Sequence, residues 1–222
     1  RPAATSRHGV WTIRRADGGG KRVSAATADT TVSDAQIDNA SAAMKDLGQS
    51  ALFMIREQDT ALDRLLAARS FRVLDRVTLF ACPIQRLTAT PPARMSAFAI
   101  WPPLQIIREI WADGGIGAGR IAVMQRVVCA RTSLLARNAG RPAGAAFVAV
   151  HRNIGMIHAV EVRQNHRRQG VAINIMRAAA HWAQDQGARY FSVLVTDANA
   201  AANALYMNLG LSVVGHYHYR TA

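Results

Sequence analysis

A basic loop that closes on glycine, between an apolar segment and a helical pattern, is the part of the sequence best suited to chemistry. The apolar segment, residues 154–162, has the length and composition of a buried strand. Basic residues follow from Arg163, the loop closes at Gly170, and apolar residues then recur at helical spacing. The first N–H groups of a helix have no partner within the helix, and glycine lets the backbone approach a ligand closely. This order predicts a main-chain cradle for a phosphate.

The loop contains the pattern R-x-x-G-x-A, in the residues Arg167-Arg168-Gln169-Gly170-Val171-Ala172. The pattern alone is weak, because two other segments, beginning at Arg15 and Arg141, also fit R-x-x-G-x-G/A. We interpret the first as a hairpin turn and the second as the approach to an apolar strand at residues 145–150. Only the third match lies between a buried strand and a helix, so its context favours ligand binding over a merely solvated basic loop.

The loop and its surroundings resemble the acyl-CoA signature of the GNAT superfamily of N-acetyltransferases. Four features follow the family's order: the strand that ends HAVEV, the R-x-x-G-x-A loop, Asn199, and the pair Leu205-Tyr206 followed by Leu209-Gly210. The resemblance covers residues 95–220 well and the first lobe only as a decayed copy. It implies an acetyl-CoA-dependent N-acetyltransferase in which an amine attacks the thioester directly. The implied fold is α/β (α+β), with a GNAT-like mixed central sheet flanked by helices.

The resemblance also implies roles for individual residues. The pantetheine arm would pair with the strand edge at Val160 and Val162 and bond Asn199, while Tyr206 would protonate the leaving thiolate. Asn199 could instead cap the next helix, or do both, and Tyr206 could be a core or rim aromatic. The main-chain amides that would hold the pyrophosphate are those of Arg168, Gln169, Gly170, Val171 and Ala172, and Arg167 is also assigned to cofactor binding.

The general base is the least determined residue. A primary amine, with a pKa of about 10.4, is almost entirely protonated at neutral pH, which costs roughly 4–5 kcal/mol and favours a base or a water chain. Family members often place a glutamate six residues before the last valine of the strand, but Met156 stands there. His158 shares the strand face of Met156, whereas Glu161 lies on the opposite face unless a β-bulge intervenes. We prefer His158 to Glu161, and a structural role is open for both.

Composition leaves three functions to rank. The chain has 222 residues, half of them hydrophobic, and a net charge of +13 that could indicate nucleic-acid binding. The arginines are scattered, however, and the phosphates of CoA account for part of the charge. We therefore rank an N-acetyltransferase first, a non-catalytic acyl-CoA-binding sensor module second and a nucleic-acid-binding protein third. The acceptor, an amine of a small molecule or peptide, is not identified.

Cysteine and histidine usage gives no metal centre. Cys82 and Cys129 stand far apart among apolar neighbours, which favours free thiols and a reducing cytoplasm. His216 and His218 share a strand face, but a third metal ligand is missing, so strand packing or lining of the acceptor site is favoured. No apolar run approaches the length of a membrane span.

The remaining pattern predicts the elements that position the loop. Predicted strands cover residues 10–15, 21–26, 52–55, 71–80, 95–100, 132–137, 145–150, 193–195 and 211–220. Predicted helices cover residues 34–47, 103–111 and 199–209, with others beginning near residue 59 and after Gly170. Residues 121–128 are ambiguous between helix and strand.

An offset of 140 residues superimposes two parts of the chain. It brings Asp59 onto Asn199, Leu65 onto Leu205 and Phe71 onto Leu211, which indicates a degenerate internal repeat, with chance similarity as the alternative. The first copy lacks the loop, because residues 28–32 contain neither glycine nor a basic residue. We predict a tandem arrangement: residues 1–90 as a partial GNAT-like lobe without the CoA loop, and residues 91–222 as a complete acetyl-CoA-binding domain.

Overall fold

An eight-stranded mixed sheet forms the centre of the computed structural model, which describes residues 1–222. The strands are β1 Ala4–His8, β2 Trp11–Arg15, β3 Thr27–Ala28, β4 Leu52–Arg56, β5 Arg72–Pro83, β6 Ala97–Ile100, β7 Arg131–Asn138, β8 Arg141–His151, β9 Ile154–Val162, β10 Tyr190–Thr196 and β11 Ser212–Thr221. The helices are α1 Asp34–Asp46, α2 Thr60–Ala68, α3 Gln85–Thr88, α4 Gln105–Asp113, α5 Ala118–Gln125, α6 Val171–Asp185 and α7 Ala200–Asn208. The mixed sheet flanked by helices confirms the predicted fold class.

The order of the central sheet interleaves strands from distant parts of the chain. It runs β4-β11-β5-β10-β9-β8-β7-β6, while β1, β2 and β3 form a small separate sheet. Strand β5 lies between β10 and β11, and β11 lies between β4 and β5; all these contacts are antiparallel. The chain therefore closes its sheet through long-range pairing that no local pattern specifies.

Helices cover both faces of the sheet around β8 and β9. On one face, α6 buries an apolar stripe that includes Ile175, Met176 and Ala179 against the sheet. On the other face, α4 buries Ile107, Ile110 and Trp111 against Ala145 and Phe147 of β8. Since β8 and β9 are held from both sides, the end of β9 is a fixed point for the loop that follows it. None of the helices has the length and apolar character needed to cross a membrane.

The 140-residue offset recurs in the elements. Helices α2 and α7 are nine residues each and begin at Thr60 and Ala200, and β5 and β11 begin at Arg72 and Ser212. Each of these strands is inserted beside the other copy's strands. The identity of residues 1–90 as a GNAT-like lobe, and the boundary at residue 90, stay predictions, because strands from both sides of that boundary share one sheet.

Several segments differ from the sequence prediction, which included neither strand β1 nor helix α3. The predicted strand at residues 21–26 is wrong: Lys21–Val23 form a 3₁₀ turn, closed by bonds from Val23 N to Gly20 O and from Ser24 N to Lys21 O. Only Thr27–Ala28 extend to pair with β2. The ambiguous residues 121–128 lie mainly in α5, which begins directly after Gly117.

Candidate active site

The two central parallel strands separate halfway along their length. Strand β9 pairs with β10 only from Ile154 opposite Tyr190 to Ile157 opposite Val193, although both strands continue further. The N–H and C=O groups of successive strand residues point to alternate neighbours. Because Arg163 N bonds to Ala143 O of β8, the main-chain groups of Val162 point away from β8 and towards the opening between β9 and β10. We call this opening the β9–β10 gap. It offers a strand edge to an extended ligand at the predicted position.

The loop after β9 leaves its main-chain donors free. Arg168 and Gly170 have φ values of 61° and 77°, both in the left-handed region. The N–H groups of residues 168–173 make no hydrogen bond within the protein; the first helical bond runs from Asn174 N to Gly170 O at 3.1 Å. A Cβ atom placed on Gly170 would meet nothing within 4 Å, so the space in front of these donors is open. Successive N–H groups in this arrangement suit an anionic oxygen.

Side chains from a neighbouring hairpin support the loop. Asn138, the last residue of β7, donates through Nδ2 to Oε1 of Gln169, and its Nδ2 lies 3.3 Å from Nδ1 of His166. Gln169 in turn donates through Nε2 to the carbonyl oxygen of Asn165 at 3.1 Å. The Gln169 side chain therefore holds the loop in shape while its main-chain N–H stays free. Asn138 was not expected to act on the loop, since only the fold brings the hairpin to it.

Asn199 caps a helix and keeps donors free. Its Oδ1 accepts a hydrogen bond of 3.1 Å from Ala202 N, so it is the N-cap of α7. The residue is exposed, and its Nδ2 makes no hydrogen bond within the protein. The capping role is thus present, and the free amide N–H group is compatible with the ligand role.

Tyr206 lies in the core with its ring packed on Phe80, whose ring centroid is 5.8 Å away. The residue is 5% exposed, and burial raises the pKa of its phenol to about 12. Its hydroxyl makes no hydrogen bond within the protein, yet it does not belong to the fully enclosed polar atoms. The hydroxyl is therefore protonated at neutral pH and free to donate.

A β-bulge in β9 decides which side chains share a face. The register with β8 shifts so that His158 lies opposite Phe147 and Glu161 lies opposite Ala145, and Ala159 between them has a φ of 52°. Phe147 and Ala145 both face α4, so His158 and Glu161 face it as well. The condition set by the sequence for Glu161 to share the face of His158 is therefore met.

Glu161 is held in a narrow place. Its side chain is 19% exposed, and its Oε1 lies 3.3 Å from Nη2 of Arg167. A Cβ atom placed on Gly114 would lie 2.4 Å from Oε2 of Glu161, so only glycine fits at the end of α4. Arg167 also donates through Nε to the carbonyl oxygen of Val162 at 3.0 Å, which links Glu161 to the edge of the β9–β10 gap.

His158 is a neutral hydrogen-bond acceptor. Nη1 of Arg22 lies 3.0 Å from Nδ1 of the imidazole, and because a guanidinium can only donate, Nδ1 accepts and the proton sits on Nε2. The residue as a whole is half-buried, and burial lowers the pKa of its imidazole to about 3, with the charges of Arg22 and Arg120 acting in the same direction. A base this weak is poorly matched to an amine, which weakens the sequence-based preference for His158. Sequence reasoning missed Arg22, because it lies in the segment expected to be a strand.

The other two histidines of the sequence pattern have structural partners. His218 Nε2 and Arg220 Nε both lie 2.7 Å from Oδ1 of Asp63, whose pKa is lowered first by Arg220 and then by His218. His216 Nδ1 lies 3.2 Å from Oγ1 of Thr78. These contacts attach β11 to α2 and β5, in agreement with the strand-packing interpretation.

Comparison with known proteins gives one family. Residues 104–211 match the model of the Acetyltransferase (GNAT) family. The uncharacterized N-acetyltransferase YobR of Bacillus subtilis is 32% identical over 73 residues, which cover 33% of this chain and 30% of YobR. The chain thus aligns with about a third of that relative's length.

Solved structures share the fold over nearly the whole chain. A GCN5-related N-acetyltransferase from Kribbella flavida superimposes with a TM-score of 0.74 at 18% identity, over 99% of this chain and 89% of that one. A tandem GNAT protein from the clavulanic acid biosynthesis pathway gives 0.69 at 16% identity, over 100% and 84%. Residues 104–211 are therefore similar to the GNAT family, and the solved structures share the fold of nearly the whole chain.

Proposed function

We propose that the protein is an acetyl-CoA-dependent N-acetyltransferase that acetylates a primary amine by direct attack on the thioester. The observation that carries the proposal is the row of free N–H groups at residues 168–173, at the mouth of the β9–β10 gap. The residues present fit the cofactor: the loop donors suit its diphosphate, and Val160, Val162 and Asn199 border the gap where the pantetheine arm would lie. Acetyl-CoA would supply the activated acetyl group.

The reaction forms an amide C–N bond and breaks a thioester C–S bond. Main-chain N–H groups of β9 near Val162 would stabilise the charge that develops on the carbonyl oxygen. Tyr206 would deliver its proton to the sulfur and recover one from solvent. Because an ordinary thiol has a pKa near 8.5, this transfer is favourable only if the gap also raises the pKa of the thiol, as burial raises that of Tyr206.

The proton released by the amine needs an acceptor on the α4 face of β9. Of the two candidates, Glu161 supports the proposal better than His158, because an imidazole with a pKa of about 3 cannot take a proton from an amine efficiently. Glu161 lies on the same face and keeps a carboxylate beside the gap. We therefore assign the base to Glu161, directly or through a water molecule.

The non-catalytic acyl-CoA sensor is the second candidate. It is favoured by the ion pair of Glu161 with Arg167 and by the low basicity of His158, since neither group is an unengaged base. The sensor would use the same cradle and need no acceptor. We also propose that residues 1–90 are a partial GNAT-like lobe, for which the tandem structural neighbour is a precedent.

Two measurements test the proposal. The first is calorimetric titration with CoA of the wild type and Gly170→Glu, where a carboxylate in front of the free N–H groups should abolish binding. The matched control is Gly187→Glu at the other end of α6, because Gly187 also has a positive φ and open space around it. The second is release of free thiol from acetyl-CoA across a panel of amines. Binding of CoA without acetyl transfer to any amine would favour the sensor. An unchanged affinity of Gly170→Glu for CoA would contradict the assignment of the loop N–H groups to the diphosphate.

A further inference from the structure

A glycine contact fixes the N-terminal loop against α5. A Cβ atom placed on Gly119 would lie 2.5 Å from the carbonyl oxygen of Gly18, and one placed on Gly19 would lie 2.3 Å from Cγ2 of Val123. Backbone therefore packs on backbone at this point. The contact holds the 3₁₀ turn that carries Arg22 beside the first turn of α5, which carries Arg120.

The two arginines converge on His158. Arg22 donates to Nδ1 of the imidazole at 3.0 Å. The charges of Arg22 and Arg120 both add to the lowering of the pKa of His158 that burial causes. The pKa of Arg120 is lowered too, first by partial burial and then by the charge of Arg22. On its other side Arg22 lies close to Tyr219, where its charge opposes the rise in pKa that burial and Tyr217 cause. We call this group, Arg22, Arg120 and His158, the donor cluster.

The donor cluster contains donors without acceptors. Neither Arg22 nor Arg120 has a carboxylate within ion-pairing distance. The Nε2 of His158 carries a proton, because Nδ1 accepts from Arg22. Glu161, the acid on the same face of β9, is engaged by Arg167. Both arginines are solvent-exposed residues without a partner of opposite charge, so their guanidinium groups are available to an anion.

We propose that the donor cluster binds a carboxylate of the acceptor, so that the substrate is an amine that also carries a carboxylate. The inference rests on the proposed function, because it places the acceptor on the α4 face of β9, where His158 and Glu161 lie. His158, which Arg22 contacts, lies three residues from Glu161 on the same face of β9, so the proposal places the carboxylate and the amine of the acceptor along this face. Planar guanidinium groups bind carboxylates through paired, charge-assisted hydrogen bonds.

The test uses product analogues and needs no catalysis. Ligand-observed NMR would measure the dissociation constants of N-acetyl amino acids and of the matched N-acetyl amino acid amides, which lack the charge. We expect at least one acid to bind about ten-fold more tightly than its amide, and Arg22→Gln or Arg120→Gln to remove that preference. Arg152→Gln, at the exposed turn at the other end of β9, is the control and should keep it.

Three outcomes would overturn the proposal: no acid binding better than its amide, a preference that survives both arginine substitutions, or tighter binding of the matched N-acetyl aminophosphonates. Folding of the variants is checked by their affinity for CoA, which should equal that of the wild type. Failure of the wild type to bind CoA would instead contradict the proposed function, and the preference for carboxylates would still be measurable.

Discussion

The indole N–H of Trp111 donates a hydrogen bond of 2.9 Å to the carbonyl oxygen of Ala159, the residue at the centre of the β9 bulge. Trp111 is fully buried in the contact between α4 and the sheet. The bond gives the carbonyl group of the bulge a partner that no neighbouring strand supplies. Because the bulge turns Glu161 onto the face of His158, a helix on one side of the sheet fixes the direction of the candidate base.

Replacing Trp111 with phenylalanine tests this relationship. The substitution keeps an aromatic ring but leaves the carbonyl of Ala159 without its donor, which should cost about 1–3 kcal/mol of unfolding free energy. Since Glu161 depends on the bulge, turnover should fall as well. Urea unfolding and acetyl transfer measure the two effects. Trp182→Phe, at a partly buried position of α6 that packs against the core away from β9's bulge contact with Trp111, is the control, and equal losses in both variants would contradict a specific role of the bulge.

Local patterns were enough to predict the loop but not the faces of β9. Strand Ile154–Val162, the loop and the start of α6 at Val171 all agree with the sequence, because apolar periodicity and a glycine at a helix start are short-range signals. A bulge stabilised by Trp111 depends on a contact between residues 48 positions apart. Simple alternation therefore separated His158 from Glu161, and only the fold shows that they share a face.

Glu161→Gln distinguishes the two candidate bases. The amide keeps the size of the side chain and loses its ability to accept the proton, so kcat should fall by about 10²–10⁴-fold while the KM for acetyl-CoA changes little. His158→Gln should lower kcat much less, because an imidazole with a pKa of about 3 is already a poor base. The measurement is steady-state kinetics with the best amine of the panel. The reverse order of effects would return the role to His158.

Gly114→Ala provides an independent test of Glu161. The added Cβ would lie 2.4 Å from Oε2 of Glu161 and displace the carboxylate without removing it. We expect kcat to fall in this variant while the affinity for CoA, measured by calorimetry, is retained. Gly117→Ala is the control, since a Cβ atom at that position meets nothing within 4 Å. Full activity of Gly114→Ala would mean that the observed position of Glu161 is unimportant.

Long-range pairing explains the other gaps in the sequence prediction. Arg22 reaches His158 across 136 positions, and β5 enters the sheet between β10 and β11. Helices α2 and α7 were predicted from the local sequence, because their starts and apolar spacing are short-range signals. An isolated segment does not encode which distant strand it joins. The contact between Arg22 and His158 could therefore not be predicted from the sequence.

Tyr206→Phe separates an acid from a packed aromatic. Phenylalanine preserves the contact with Phe80, and the hydroxyl has no hydrogen bond within the protein to lose, so stability should change little. If the phenol protonates the sulfur, kcat should fall by about 10²–10⁴-fold with unchanged CoA affinity. Tyr190→Phe, which removes an exposed hydroxyl from the start of β10, should keep full activity. A Tyr206→Phe enzyme with wild-type kcat would assign the residue to packing.

The lowered pKa of His158 makes stability depend on pH. In the unfolded chain the imidazole takes up a proton near pH 6.5, whereas in the folded protein it does so only near pH 3. The unfolded state therefore binds more protons between these values. The contribution of His158 to stability is complete above pH 6.5 and is lost as the pH falls towards 3, at a slope of at most about 1.4 kcal/mol per pH unit.

His158→Gln isolates this contribution, because glutamine can still accept from Arg22 but does not titrate. Urea unfolding between pH 7.5 and 5 should show a shallower loss of stability in this variant than in the wild type. Paired carboxylates such as Asp63 also lose stability on acidification, but they are common to both proteins, so the difference between the two slopes belongs to His158. His8→Gln, on the exposed strand β1, controls for removal of a histidine. Parallel curves for His158→Gln and the wild type would mean that burial and the charges of Arg22 and Arg120 do not suppress protonation of the imidazole.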